Sequence, residues 1–338
     1  MSDKKQLNLA LQGGGSHGAF TWGVLDRLLE EEDLEFVGVS GTSAGAVNGA
    51  CLVYGLAVGG NVCAREILHE FWKKNSDSQK WSVLQPSYLD KMFSRGNIEF
   101  NPFFKAFHRM TTNLSPYEWN PNGYNPLRSL LLDVIDFNII QQNSDYKLFL
   151  SATNIRTSKI RVFSNPEITA DAVCASACLP RLFQAVDIDG ELYWDGGYLG
   201  NPAMFPLFEN TKVKDLMLIQ IENINLDNPP KKIGEILDRA LDVSFNSSLM
   251  REMRAINFVS HIIDHGFDDD GRLVRTDIHY IGTGDLMNNF NNSSRMNVSW
   301  DWLTFLRDDG RAKAEVWIKE NLDKINKQST CDINNLFM

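Results

Sequence analysis

The sequence predicts an α/β fold with a mainly parallel central sheet. Two strand–turn–helix units follow each other near the amino terminus. Residues 7–11 lead into a loop at Gly13–Gly18, and residues 36–39 lead into a turn at Gly41–Gly45. Further apolar strand-like runs alternate with helical patterns later in the chain. Consecutive βα units favour parallel strands with helices on both faces, which makes three layers, α/β/α.

Helices are predicted where apolar side chains recur at the spacing of one helix face. A first helix is expected at 19–31, directly after the Gly13–Gly18 loop. The pattern from Lys232 to Ile263 predicts a long helix, with a break near Ser244 as an alternative. The tail after Lys327 is expected to be loose. The other predicted helices span 44–58, 61–74, 169–177, 300–306 and 311–325.

Strands are predicted where short apolar runs are bounded by turn residues. Residues 186–194 are typical of a hairpin, because Asp189-Gly190 favours a tight two-residue turn. That hairpin leads directly into Asp195-Gly196-Gly197. The remaining predicted strands span 146–153, 159–163, 215–221 and 278–281.

An insertion at about 71–128 differs in amino-acid composition from the rest of the chain. Residues 71–124 hold 12 of the 36 aromatic residues, mixed with prolines and without a long period. We predict an aromatic lid that helps to form an apolar pocket. An insertion that simply packs on the core is the alternative, and exposed aromatic side chains would also allow transient contact with a membrane surface.

Composition limits the classes of partner. The chain has 338 residues, enough for a large core, and a formal net charge of −10, which argues against nucleic acid. We predict a soluble, cytoplasmic protein, because no signal-peptide pattern and no apolar run of membrane-spanning length is visible. Five cysteines without a C-x-x-C pair are typical of free thiols in a reducing compartment: Cys51, Cys63, Cys174, Cys178 and Cys331.

Ser43 is the candidate nucleophile. It lies in Gly41-Thr42-Ser43-Ala44-Gly45, a G-x-S-x-G turn between a predicted strand and a predicted helix. Such a turn presents the serine hydroxyl at a helix amino terminus, and its glycines allow close backbone packing. Taken alone, the same five residues are also compatible with an ordinary turn.

The glycine loop, Gly13–Gly18, has the spacing G-x-G-x-x-G and allows three interpretations. A dinucleotide site would need an acidic residue at the end of the second strand, where Ser40-Gly41 stands instead. A structural turn into the helix is the second interpretation. In the third, which we favour, the backbone N–H groups of Gly14 and Gly15 form an oxyanion hole beside Ser43.

Asp195 is the candidate base for Ser43. It follows a predicted strand, and Gly196 and Gly197 would let the backbone approach closely. Partial burial would raise the basicity of such a carboxylate. A Ser-Asp-His triad that uses His261, His265 or His279 is the alternative allowed by chain order.

No metal and no cofactor are predicted. His261 and His265 have the i, i+4 spacing of metal ligands on a helix, but no third ligand is identifiable, so a solvated helix face is the better interpretation.

The three motifs together resemble those of the patatin-like phospholipases. The glycine loop looks like the oxyanion loop of that family, Gly41–Gly45 like its nucleophile elbow, and Asp195–Gly197 like its D-G-[AG] segment. Residues 175–183 are similar to the family's A-S-x-x-x-P-x-x-F stretch. The likeness runs from about residue 7 to 221 and is weak in the aromatic insertion.

The resemblance implies a lipid acyl hydrolase with a Ser43–Asp195 dyad and an oxyanion loop containing Gly13, Gly14, Gly15 and Gly18. The expected substrates are phospholipids, lysolipids or other acyl esters, and the oligomeric state is open. A catalytically silent lipid-binding protein and a Ser-His-Asp esterase are the alternatives.

One position departs from the family pattern, which often has Arg or Lys where this chain has His17. An imidazole there could act as an accessory donor or as a second base. The resemblance also implies one patatin-like domain over 1–338, with a catalytic core at about 7–221 and a helical region at about 230–327.

Overall fold

A central sheet forms the middle layer of the protein. The computed structural model describes residues 4–80, 82, 84–94, 96–226, 229–267 and 273–338. Within these residues the sheet has eight strands. They are β1 (Lys5–Leu11), β2 (Leu34–Gly41), β3 (Lys147–Asn154), β4 (Lys159–Ser164), β5 (Val186–Ile188), β6 (Glu191–Asp195), β7 (Asp215–Gln220) and β8 (Asp277–Gly282).

The sheet is parallel in its middle and antiparallel at one side. Its order is β5-β6-β3-β2-β1-β7-β8, and β4 also pairs with β3. All four pairings from β3 through β2, β1 and β7 to β8 are parallel. The pairings that involve β4, β5 and β6 are antiparallel. The predicted mainly parallel sheet is therefore confirmed, and its centre is the β1–β2 pair.

Helices cover both faces of this sheet. They are α1 (Gly18–Leu28), α2 (Ala44–Ser78), α3 (Tyr88–Phe93), α4 (Pro102–Asn113), α5 (Pro116–Trp119), α6 (Pro126–Val134), α7 (Phe137–Gln142), α8 (Ala170–Ser176), α9 (Phe205–Asn210), α10 (Ile233–Asp264), α11 (Trp300–Asn321) and α12 (Ile333–Phe337).

The side chains of β1 alternate between two hydrophobic cores, as the pleat of a strand requires. Leu7, Leu9 and Leu11 pack with α1, α2 and α11. Ala10 packs on the opposite face with side chains of α9, α10 and α12. The three layers of the predicted α/β/α fold are thus confirmed.

The two helices predicted at 44–58 and 61–74 are continuous in α2 except for a kink. Gly59 and Gly60 have non-helical backbone angles there, and Gly60 has a positive φ of 68°. By length and composition α2 could cross a membrane, but 56% of its most apolar stretch is buried in the protein. Its kink and its burial are typical of a core helix.

The prediction of two closing helices at 300–306 and 311–325 was wrong, because α11 runs through Gly310 without a break. A side chain at Gly310 would collide with the carbonyl oxygen of Phe20, and one at Gly23 would collide with that of Arg307. The two glycines therefore serve the close crossing of α1 and α11, and Gly310 is not a helix terminator.

Two other features at the carboxyl-terminal side differ from the expectation. The alternative of a break near Ser244 does not occur, since α10 is continuous. The tail after Lys327 is ordered: the N–H groups of Thr330 and Cys331 donate to the carbonyl of Ile278, and Phe337 is buried. Both differences come from packing against the sheet, which local sequence does not display.

The aromatic insertion contains several short helices, α3 to α6. Many of its aromatic side chains face solvent, including Tyr88, Phe93 and Phe103, which are 70–75% exposed. Its polar contacts reach the loop before β5, where Arg181 donates to Thr112 Oγ1 at 2.7 Å. The insertion thus lies beside the segment that precedes Asp195, with much of its apolar surface turned outward.

The close crossing of α1 and α11 gives a test of this packing. We expect Gly23→Ala to lower the free energy of unfolding by about 1–3 kcal/mol, since the added methyl group would force the helices apart. Gly234→Ala is the matched control, because no atom lies within 4 Å of the place its added methyl group would take, and it should be neutral or slightly stabilising. Equal denaturation midpoints for the two variants would contradict this account.

Candidate active site

Ser43 sits on a strained turn between β2 and α2. Its φ of 55° and ψ of −119° are unusual for a residue with a side chain, a conformation that costs on the order of 1–3 kcal/mol. The turn is held in place by the N–H of Ser43, which donates to Ser176 Oγ at 3.0 Å. The side chain of Ser43 is partly exposed, while its neighbours Thr42 and Ala44 are buried. This is the geometry of a nucleophile elbow.

The flanking glycines allow the turn to pack tightly. A side chain at Gly41 would collide with the carbonyl oxygen of Gly45, and one at Gly45 would collide with that of Leu11. Leu11 is the last residue of β1, so the elbow is packed directly against the strand that leads into the glycine loop.

The glycine loop lies next to Ser43. A methyl group at Gly13 would lie 2.7 Å from the Cβ of Ser43, and one at Gly18 would lie 2.6 Å from that of Ala44. The N–H of Gly13 donates to Asn201 Oδ1 at 2.8 Å, and that of Gly18 bonds within the loop. Within the described residues the N–H groups of Gly14 and Gly15 have no such acceptor. Both N–H groups are therefore available to an acceptor from outside the loop.

Asp195 reaches the elbow from the antiparallel side of the sheet. It ends β6, where it pairs with Ala152 of β3. Its N–H donates to the carbonyl of Cys178 at 2.8 Å, and its carboxylate Oδ1 accepts the N–H of Gly197 at 2.7 Å. A side chain at Gly196 would collide with the backbone of Ser151, so glycine is required for this approach.

Burial makes the Asp195 carboxylate unusually basic. The residue is fully buried, and this loss of hydration raises its pKa to about 7, partly offset by the hydrogen bond from Gly197 and by the Ser43 hydroxyl. Carboxylate Oδ2 has no partner of normal hydrogen-bond geometry among the described residues. The Ser43 hydroxyl is thus near enough to influence the Asp195 carboxylate without a hydrogen bond of normal geometry between them.

His17 faces away from this pair. Its Nε2 lies 2.8 Å from Ser294 Oγ, and its ring packs edge-on against Trp302. Burial lowers the pKa of His17 well below its ordinary value, and the charge of Arg295 lowers it further. The imidazole is neutral near pH 7, and its described contacts are with the carboxyl-terminal segment.

The late histidines do not assemble a triad with Ser43. Both ring nitrogens of His279 are engaged, Nε2 with Asp215 at 2.8 Å and Nδ1 with Thr330 at 2.9 Å. The rings of His261 and His265 contact each other at the end of α10, with their centroids 4.0 Å apart. Among the residues that the structure describes, no group of three His, Cys, Asp or Glu side chains could hold a metal ion.

Two positioning groups were missed by the sequence reasoning. Ser176 fixes the elbow, and Asn201 fixes the glycine loop through Gly13. Ser176 lies in the family-like 175–183 stretch, which was a usable signal. Asn201 follows Asp195-Gly196-Gly197 closely in the chain but has no pattern that marks its partner.

A buried charge cluster behind the glycine loop was also missed. A methyl group at Gly14 would lie 2.7 Å from Glu222 Oε1. The guanidinium of Arg295 pairs with Glu222 and also with Asp242, the latter at 2.7 Å. Burial raises the pKa of Glu222 to about 7, against the opposing effect of Arg295. The ion pairs of this cluster connect the glycine loop to α10, and no local sequence motif predicts them.

Comparison with known proteins assigns the same region to one family. A family model described as patatin-like phospholipase matches residues 9–207, a range that contains Ser43 and Asp195. No curated protein sequence matches the chain significantly.

Similar solved structures include VipD from Legionella pneumophila, with 15% identity and a TM-score of 0.43, covering 94% of this chain and 67% of VipD. The type III effector ExoU has 12% identity and a TM-score of 0.35, and the match covers 94% of this chain and 53% of ExoU. A structure of the ExoU–SpcU complex from Pseudomonas aeruginosa has 12% identity and a TM-score of 0.28, and the match covers 96% of this chain and 62% of the matched chain. The chain thus spans about half to two thirds of the lengths of these proteins.

The burial of Asp195 predicts a pH-dependent stability. The pKa of Asp195 is higher in the folded than in the unfolded protein, so the free energy of unfolding falls as pH rises from about 4 to about 7. The total loss is about 1.4 kcal/mol for each unit by which the folded and unfolded pKa values differ. We expect Asp195→Asn to raise the melting temperature at pH 8 and to have little effect near pH 4. Asp187→Asn, on the exposed β5–β6 hairpin, is the control and should show no such difference between the two pH values.

Proposed function

This chain belongs to the patatin-like phospholipase family, and we propose that it hydrolyses carboxylic ester bonds of lipids with a Ser43–Asp195 dyad. Family membership supports the lipid substrate class. The observation that carries the mechanism is the position of a buried carboxylate, with a pKa of about 7, against the hydroxyl of a serine on a strained elbow.

Asp195 acts as the general base in the first step. Its carboxylate takes the proton of the Ser43 hydroxyl while the serine oxygen attacks the ester carbonyl carbon. A base with a pKa near the working pH combines a sufficient ionised fraction with a useful driving force for proton transfer. The Gly197 N–H holds the other carboxylate oxygen and so fixes the orientation of Asp195.

The negative charge that develops on the carbonyl oxygen is stabilised by the N–H groups of Gly14 and Gly15. One such donor contributes on the order of 3 kcal/mol in related acyl-transfer chemistry. Asn201 positions this loop by holding Gly13, and Ser176 positions the elbow by holding the Ser43 N–H. Both act on backbone groups and leave the loop donors available.

The tetrahedral intermediate collapses when the ester C–O bond breaks. The leaving alcohol takes the proton from Asp195, and the acyl group remains on Ser43. Water then attacks the acyl-enzyme and gives its proton to Asp195, and the released fatty acid carries the acyl group away. Asp195 passes this second proton back to the Ser43 oxygen, which restores the starting state.

The substrate is a phospholipid, lysolipid or other acyl ester. We place the reaction in the cytoplasm, supported by five cysteines that are all unpaired. We also propose that the chain acts as one patatin-like domain, supported by the ion pairs of α1 with α11, in which Arg27 binds Glu315 and Arg311 binds Asp26.

The silent lipid-binding alternative predicts an unreactive Ser43. A fluorophosphonate probe that labels the wild type and not Ser43→Ala would favour the enzyme. The histidine-esterase alternative has less support, because the described contacts of His261, His265 and His279 do not include Ser43 or Asp195.

We expect Ser43→Ala to lower turnover of a short-chain nitrophenyl ester by about 10⁴-fold or more, since it removes the nucleophile. Asp195→Asn should lower it by about 10³-fold to 10⁴-fold, because the amide cannot accept the proton. His17→Gln is the matched control for the base and should retain turnover within about tenfold. A loss with His17→Gln equal to that with Asp195→Asn would assign the base to His17.

The raised pKa of Asp195 also predicts the pH profile. The base must be ionised, so kcat/KM should rise with pH through a midpoint of about 7 and then level off. Measurement with the soluble ester between pH 5 and pH 9 checks this. A profile that is already flat at pH 5 would contradict a buried carboxylate as the base.

A further inference from the structure

The first turns of α10 are amphipathic but inverted. Ile233, Ile236, Leu237 and Ala240 share one face of the helix, at the i, i+3, i+4 and i+7 positions. This apolar face is turned to solvent, where Ile233 is 73%, Ile236 44% and Leu237 55% exposed. A helix of a globular protein normally buries such a face.

The charged face of the same turns is the one that points inward. Asp238, Arg239 and Asp242 are less exposed than the isoleucines. Asp242 pairs with Arg295, and Arg239 donates to the carbonyl of Ile224 at 2.6 Å. These side chains line a cavity of about 280 Å³ behind the glycine loop. The inversion is therefore held by one ion pair and one hydrogen bond, and rotation of the helix would break both.

Two lysines stand beside this exposed face. A methyl group at Gly234 would have no atom within 4 Å, so the start of α10 projects into solvent. Lys231 and Lys232 precede the helix and are exposed, Lys232 with 86% of its side chain and an exposed pair to Glu235. An exposed aliphatic face beside two exposed lysines is the pattern of a helix that lies in a lipid interface.

This surface is connected to the candidate active site through the same helix. Further along α10, the ring of Phe245 packs against Gly197, where an added methyl group would lie 2.7 Å from a ring carbon. Asn246 accepts a hydrogen bond from the side chain of Gln12 at 3.0 Å. Gln12 directly precedes the glycine loop. The helix that carries the exposed turns thus contacts both the Asp195 segment and the residue before the glycine loop.

A second exposed apolar surface borders the same loop region. The aromatic insertion, which exposes Phe93 and Phe103, bonds to the segment after β8, where Asn291 N–H donates to Asn97 Oδ1 at 2.9 Å. That segment also contains Arg295, the partner of Asp242 on α10. Two outward apolar surfaces therefore flank one stretch of chain next to the glycine loop.

We propose that the exposed face of α10 at Ile233, Ile236 and Leu237, with Lys231 and Lys232, docks on a lipid bilayer that contains anionic headgroups. Aliphatic side chains enter the interface, and the lysines approach the phosphates. The charged inner face stays paired with Arg295 and does not contact lipid. The proposal rests on the proposed function, since an enzyme that hydrolyses lipid esters has to meet them at a lipid surface.

Binding is tested in the Ser43→Ala background, so that no lipid is consumed. Vesicles of phosphatidylcholine, with or without phosphatidylglycerol, are sedimented with the protein. The variant Ile233→Ser/Ile236→Ser/Leu237→Ser should bind both vesicles about tenfold or more weakly. Lys231→Gln/Lys232→Gln should lose about tenfold only on the anionic vesicles.

The matched control is Val58→Ser/Val62→Ser, which replaces exposed aliphatic residues on either side of the kink in α2 and should bind as the parent does. The triple variant changes only exposed side chains, so an unaltered melting temperature is expected. Wild-type binding by the triple variant, or a parent that binds neither vesicle, would overturn the docking surface.

Activity separates this proposal from the proposed function. With Ser43 present, the triple variant should hydrolyse a soluble nitrophenyl ester as the wild type does and should lose most of its hydrolysis of vesicle lipid. If the wild type does not hydrolyse the soluble ester, the proposed function fails. The vesicle-binding result then still decides the docking surface by itself.

Discussion

The strained turn at Ser43 is the constraint on which the rest of the structure depends. A residue with a side chain keeps a positive φ only where its surroundings over-determine the backbone. Here Gly45 packs on the end of β1, and Ser176 holds the Ser43 N–H. The first of these contacts needs β1 and β2 to be parallel neighbours, with the glycine loop and the elbow leaving the sheet at the same edge. The strain at one serine is thus sustained by the centre of the sheet.

Burial of Asp195 connects function with stability. The carboxylate has no cationic partner among its described contacts, so lost hydration dominates and raises its pKa to about 7. The same desolvation that makes the group a useful base opposes folding of its charged form. The antiparallel β6 brings this carboxylate to the elbow, since it pairs with β3, the neighbour of β2. A site of this kind is maintained by the surrounding core.

The carboxyl-terminal part of the chain supports the site from behind. Arg295 pairs with Glu222 next to Gly14 and with Asp242 of α10, while α11 closes over α1 through Gly23 and Gly310. The arrangement fixes the glycine loop from the side opposite the elbow. It also orients α10 with its charges inward, which leaves Ile233, Ile236 and Leu237 outside. One network of ion pairs accounts for both a positioned loop and an apolar surface beside it.

The sequence alone determined the features that are written in contiguous residues. Strand-to-helix turns with glycines at Gly41–Gly45 and Gly13–Gly18 encode close backbone packing locally, and hydrophobic period encodes the strands and most helices. Contacts between distant segments were decided only in the tertiary structure. Four features depend on partners that are far away in the chain. They are the hydrogen bond from Gly13 to Asn201, Glu222 beside Gly14, the neutral His17 against Trp302, and the unbroken α11. The orientation of the amphipathic α10 was also decided by the tertiary structure. A helical pattern shows which residues share a face, but which face is buried depends on contacts such as the ion pair between Asp242 and Arg295.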